Sequence, residues 1–290
     1  TTTQDHQQQI NDLPTIWEVD DALWERLEPA LRINKPRKKS GRPARDARPI
    51  FNALIWLART GSQWSEIPPR YGPKSTIFDR FKVWAAEGHL QAAWAILLSE
   101  YDELIGIDWE WQSADGCIVK APLGKRGLTV KRKRRAATPL TEEKQDKAKL
   151  LTDAKGIPLS IALSGAQRHD SKMLGAMLEG IVVAIPIPDD QDERHLLLDH
   201  AYDTPACRQA VAQNALTAHI PKKVAEATPL PPPSDPERHP PRRWVVEVAH
   251  SWFNRFRRLL IRWDKQVAHY LGFVQLVACL IIWRKIAPLV

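Results

Sequence analysis

Cysteine is scarce. Cys117, Cys207 and Cys279 make an odd count at wide, unpaired spacings. That excludes a disulfide framework or a cysteine-built zinc site and fits a reducing cytosol. No basic segment followed by an apolar run stands near the start; residues 1–16 are a Gln-rich polar tail, expected to be disordered and not a signal peptide. The most apolar stretch, Tyr270 to Trp283, is interrupted by Gln275 and falls short of the roughly 20 residues of a membrane span. A buried core helix is expected there, and no membrane partner. No internal repeat points to a solenoid.

What the chain does have is positive charge. A formal net charge of +8 over 290 residues favours a polyanionic partner, with nucleic acid first, and no small-molecule substrate is expected. A hydrophobic content of 43% is enough to bury a core for one large domain or two smaller ones.

Residues 17–100 read as a helical region. Leu23, Leu27 and Leu31 recur at helical spacing behind Asp20 and Asp21, which are candidate caps. A Pro- and Gly-broken basic run, 35–45, is expected to be an exposed arm carrying Arg42 and Arg45. Ala47 to Arg59 is helical and stops at Gly61. Ser62 to Gly72 is a turn region, and Ser75 is a candidate cap for a helix from Thr76 to Glu87 whose Ile77, Phe81 and Trp84 face inward. Helix, turn and basic second helix give a helix-turn-helix reading, with Lys74, Ser75, Thr76, Arg80 and Lys82 toward DNA. An ordinary amphipathic helix is the bland alternative. The 12 tryptophans mostly recur at helical spacings, which argues for core packing over base stacking.

Residues 101–290 change character. Ile105 to Ala114 and Ile118 to Val119 read as strand material around Asp115. Ala148 to Asp153 and Ile157 to Ser164 are joined by a hairpin-like turn. Asp170-Ser171 caps a helix from Lys172 to Ala184; Arg194 to Leu198 is a strand ending at Asp199; Thr204 to Asn214 is a helix; Leu216 to Ile220 is a strand. The class is α/β with a mixed sheet. Two insertions are expected as surface loops: 123–147, containing Lys131, Arg132, Lys133, Arg134 and Arg135, and 221–241, containing eight prolines. The basic run suits phosphate binding and equally suits a merely solvated loop.

Asp115, Asp199 and Glu247 are far apart in sequence, yet a mixed sheet can gather them at one edge. On a continuous helix Glu247, Ser251, Asn254 and Arg258 share a polar stripe, backed by Val248, Trp252, Phe256, Leu259 and Trp263. Carboxylates are hard oxygen ligands, so three of them suit two Mg²⁺ ions, with Mn²⁺ as a substitute. Taken singly, each acid among the 34 present is more readily a surface residue.

Local wording raises the odds. Leu196-Leu-Leu-Asp-His-Ala-Tyr-Asp203 and Arg242 to Leu259 resemble the second and third acid motifs of bacterial insertion-sequence transposases, of the family called insertion sequence five. Residues 64–88, Leu151 to Leu159 and Arg168-His-Asp170 are similar to its other segments. The resemblance implies an RNase H-like catalytic domain after the helical DNA-binding region, with Asp115, Asp199 and Glu247 as catalytic metal ligands. Around the Glu, Arg243 matches the family pattern, while Pro240 replaces a Tyr and Asn254 a basic residue, with Arg255 beside it. Arg243 and Arg255 are the auxiliary DNA contacts it suggests; Arg258 on the polar stripe and Tyr202 are further candidates, Tyr202 fitting a packed tyrosine with a satisfied hydroxyl at least as well. It further implies double-stranded DNA as partner, both element ends and target, a homodimer to hold two ends, and a cytoplasmic, nucleoid-associated protein. A DNA-binding repressor that has lost catalysis, and a nuclease that never rejoins strands, are the rivals.

Overall fold

The computed structural model describes residues 16–33, 45–123, 145–187, 193–221 and 244–290. Arg42, Lys131 to Arg135, Arg243 and the polar tail 1–15 lie outside them.

Among the described residues, four helices open the fold. In α1 (Asp21–Leu31) Asp20 is the N-cap, its carboxylate accepting from Leu23 N at 2.7 Å, and Leu23, Leu27 and Leu31 are fully buried. α2 (Ala47–Thr60) ends as expected on Gly61 in the left-handed conformation, φ 69°. Two short 3-10 turns, Trp64–Glu66 and Pro69–Tyr71, lead to α3 (Lys74–Ala86) and then α4 (His89–Leu104). α3 begins at Lys74, two residues earlier than the sequence suggests. Pro73 is its N-cap and Ser75 lies inside the first turn without capping it, because the Pro73 carbonyl already accepts from Ile77 N at 3.2 Å.

The sheet contains β1 (Trp111–Lys120), β2 (Gln145–Asp153), β3 (Pro158–Gly165), β4 (His195–Leu197) and β5 (Thr217–His219), in the order β3-β2-β1-β4-β5. β1, β2 and β3 are antiparallel; β4 and β5 run parallel to β1. This is the RNase H-like arrangement. β1 is one continuous strand through Asp115. Residues 105–110 are not strand: Gly106 adopts φ 83°, and Asp108 turns its carboxylate onto Trp111 N at 3.2 Å.

Two crossover segments cover the sheet. The helix expected over 172–184 is a 3-10 turn, Asp170–Met173, followed by the short α5 (Leu174–Glu179). It stops at Gly180, where a Cβ would meet Ala176 O and Ser160 Oγ at 2.9 Å, and Val182 N then bonds Leu159 O at 3.2 Å. α6 (Pro205–Gln213) is capped by Thr204, whose hydroxyl accepts from Cys207 N at 3.2 Å.

The C-terminal part is α7 (Trp244–Asn254), α8 (Arg257–Leu260) and α9 (Val267–Ile286). α9 is longer than the apolar stretch in the sequence suggests, and Val267–Leu289 is long and apolar enough to cross a membrane. It is instead a core helix: Leu276, Val277, Ala278, Cys279 and Leu280 are buried in succession, so every face is covered. It packs chiefly on α4 and α3. Gly272 permits the crossing, since a Cβ there would stand 3.1 Å from Ala85 Cβ and 3.2 Å from Phe81 Cε2. By packing, the helical region therefore includes α9 as well as residues 17–100.

Candidate active site

The hydrogen-bonded register of β1 and β4 pairs Gln112 with Leu196 and Ser113 with Leu197. Two residues further on come Asp115 and Asp199, on the same face because strand side chains alternate. Neighbouring strands lie about 4.8 Å apart, so the two carboxylates stand at one level on adjacent chains. Buried Leu196, Leu197 and Leu198 anchor β4 beneath Asp199. Its Oδ1 accepts from Ala201 N at 2.6 Å and pairs with His200 Nδ1 at 2.7 Å, so the acid caps the turn His200–Tyr202 and its rotation is fixed.

Glu247 arrives on α7, which packs across β1 and β2 through buried Val245, Val246, Ala249 and Phe253. The side chain is exposed. One turn later His250 lies against the sheet, close to the Asp115 main chain and within the fields of Asp115 and Glu247. Burial lowers its pKa, and the two acids oppose that shift. Its Nε2 is buried with no hydrogen-bond partner among the described residues. His250 thus ties the Glu247 helix to the Asp115 strand. Among the described residues, no three histidine, cysteine, aspartate or glutamate side chains are grouped closely enough to hold an ion together.

On the opposite face of β1, Asp170 receives Lys149 Nζ at 2.7 Å and Lys147 Nζ at 3.0 Å. Burial opposes ionisation of Asp170, yet the two lysines hold its pKa below the usual value. The contact is close to the strand, for a Cβ on Gly116 would be 3.9 Å from Asp170 Oδ1. Tyr202 was expected to help position DNA; it is 2% exposed. Burial, then the charges of Asp170, Asp115 and Asp199, push its hydroxyl pKa up. It is a packing residue between the acids and has no surface for DNA.

The polar stripe from Glu247 to Arg258 does not exist as one helix. The chain turns between Asn254 and Arg257, and Arg258 enters the core at 4% exposure, with Nη2 2.9 Å from Asp264 Oδ1 and Nη1 3.0 Å from Ser62 O. Its guanidinium lies 4.8 Å from the Phe273 ring centre. A buried, paired arginine does not contact DNA. Arg255 stays exposed.

In the helical region, Lys74, Ser75 and Thr76 form the exposed first turn of α3. Arg45 joins them: a Cβ on Gly72 would come within 2.5 Å of Arg45 Cζ, so the guanidinium lies over that glycine. Arg80 is half-buried near Trp84, and Lys82 is exposed but paired with Asp79 at 2.7 Å. The inward face of α3, Ile77, Phe81 and Trp84, is buried as expected.

Sequence comparison places the site in context. Residues 131–282 match the model described as "Transposase DDE domain", and residues 19–94 the model "Putative transposase of IS4/5 family (DUF4096)". The chain is 30% identical over 139 residues, 47% of its length, to the "Putative transposase for insertion sequence element IS402" of Burkholderia cepacia, and the match spans 62% of that relative. It is 29% identical over 140 residues to the "Putative transposase for insertion sequence element IS6501" of Brucella ovis, covering 47% of this chain and 95% of that one. Among solved structures, the Mos1 transposase paired-end complex aligns over 95% of this chain and 90% of its own at 12% identity and a TM-score of 0.28.

Proposed function

Because the chain belongs to the transposase DDE domain family, we propose that it binds the ends of an insertion sequence, cleaves DNA there and joins the freed 3′-hydroxyls to target DNA. What supports this reading is the placement of the acids on neighbouring elements: Asp115 and Asp199 on two adjacent interior chains of the sheet, and Glu247 on the helix packed across β1 and β2.

A donor set made only of carboxylates fits a hard divalent cation, Mg²⁺ or Mn²⁺, and Asp115, Asp199 and Glu247 are the residues that would hold it. Bound as a pair, such ions activate the attacking oxygen and stabilise the departing one. Two ions need the three acids only in pairs, which suits an exposed Glu247 standing apart from the Asp pair. In each step one P–O bond forms as another breaks: water displaces the 3′-oxygen at the element end, and that 3′-hydroxyl then displaces a 3′-oxygen in the target. The residues of the chain orient the reacting phosphate, and no covalent protein intermediate is required.

DNA is engaged on this reading by the Arg45, Lys74, Ser75 and Thr76 surface, with Arg80 and Lys82 on the same helix, and with Arg255, Arg42, Arg243 and the basic run 131–135 as further candidates. Two ends held together imply a two-fold dimer. The setting is the bacterial cytoplasm, at the nucleoid.

The test is strand cleavage and joining on a labelled duplex carrying the native element end, with Mg²⁺, comparing the native chain with Glu247→Gln at equal DNA occupancy. Joined products from the native chain and neither step from Glu247→Gln support the proposal. Binding without cutting by both turns the reading to a repressor, and cutting without joining to a nuclease.

A further inference from the structure

Beyond the acid triad, four cations line one shallow pocket on the flank of the Glu247 helix. Arg59 comes from the last turn of α2, Arg255 from just past α7, and Arg284 and Lys285 from the last turn of α9, over a floor that includes Trp252 and Phe256. The Arg59 guanidinium stacks 4.1 Å from the Phe256 ring centre, and Lys285 Nζ stands 4.7 Å from that of Trp252.

Helix C-termini favour cations, which accounts for one charge at each end but not for their convergence. The four work against one another. Burial, then Arg284 and Arg255, bring Arg59 down to about 10; burial, then Arg284, bring Lys285 down to about 8, with Asp153 acting in the opposite sense. Arg59 Nη2 is buried with no hydrogen-bond partner among the described residues, a donor whose desolvation is uncompensated. An anion seated among these groups would supply an acceptor and relieve the repulsion.

We propose that the pocket binds a phosphate group of the DNA backbone, clasped by Arg59, Arg284 and Lys285 with Arg255 at its rim. Guanidinium groups match phosphate oxygens in a bidentate fork, and the apolar floor keeps water from competing. The assignment to DNA rests on the transposase reading; the anion site does not.

The test uses the full chain and the double variant Arg284→Ala/Lys285→Ala. DNA affinity for the element-end duplex is followed against salt by anisotropy, and melting is followed in inorganic phosphate against chloride at constant ionic strength. The proposal expects the variant to bind about tenfold more weakly, with a salt slope shallower by about 0.9 per phosphate lost, and phosphate to raise the native melting temperature but not the variant's. Unchanged slope and affinity overturn it. A phosphate-induced shift with an unchanged DNA slope gives the pocket to free phosphate and overturns the DNA assignment. A phosphate shift in a native chain that binds no DNA refutes the transposase reading while keeping the anion site. Should the alanine pair fail to fold, Arg284→Gln/Lys285→Gln retains the side-chain stems and gives the same readouts.

Discussion

His250 packs against the main chain of Asp115, and that contact couples the Glu247 helix to the Asp115 strand. The imidazole sits one turn beyond Glu247, so the helix cannot shift along β1 without breaking it.

Removing that coupling is expected to cost catalysis before it costs binding. His250→Ala should lower single-turnover cleavage at saturating DNA by on the order of 100-fold, the penalty of a roughly 1 Å misplacement, with DNA affinity within about twofold of native. His250→Asn, which keeps a donor, should recover part of the rate. Equal loss of affinity and rate would show that the residue matters for folding alone.

Arg258 offers a prediction that separates structure from DNA contact. Arg258→Ala leaves Asp264, 6% exposed, without its partner in the core, which costs about 3–5 kcal/mol of unfolding free energy in urea titration. Arg258→Met combined with Asp264→Leu should restore most of it. Native stability together with weakened DNA binding would return Arg258 to the DNA interface.

Asp153 should write itself into the pH dependence of stability. The carboxylate is fully buried and accepts from Lys155 N, Ile157 N and Asp108 N, yet burial outweighs those bonds and lifts its pKa from 3.8 to about 6. Because the folded value is the higher one, its contribution is complete below pH 3.8 and is lost as pH rises through 6, a change of roughly 3 kcal/mol at about 1.4 kcal/mol per unit. Asp153→Asn should flatten the stability profile between pH 4 and 7. A profile identical to native would remove Asp153 as its source.

Gly72 supports the basic surface in front of α3. Its φ of 108° is open only to glycine, and a side chain would collide with Arg45. Gly72→Ala should cost about 1–3 kcal/mol of stability and displace Arg45, weakening DNA binding by several-fold with a shallower salt slope. Stability lost at unchanged DNA affinity would place Arg45 outside the interface.

Periodicity was enough to find α1, α2, the inner face of α3 and the hairpin of β2 and β3, because each buries one regular stripe or closes on a turn residue such as Gly61 or Gly156. It failed where tertiary packing overrode local pattern. Gly180 and Ser160 cut α5 short, and the Arg258–Asp264 pair drew the end of a presumed helix into the core. Within the candidate site, Asp199 was legible as an acid just past a strand, whereas Asp115, read as following a strand, lies in the middle of β1; Glu247 was picked out by resemblance. His250 was missed although its spacing of three from Glu247 marks it as a helix-face neighbour. Asp170 was quoted within a motif, but its two lysine partners come from another strand, which no local spacing encodes.

Whether Asp115, Asp199 and Glu247 between them hold a pair of divalent ions is decided by replacing Mg²⁺ with Fe²⁺ in the DNA-bound chain and mapping where the radicals generated at the bound iron cut the backbone. Cuts are expected in three windows only, around residues 115, 199 and 247, all suppressed by excess Mg²⁺ and by Asp199→Asn. Cuts near 115 and 199 with none near 247, or a pattern that Asp199→Asn leaves unchanged, would contradict that arrangement.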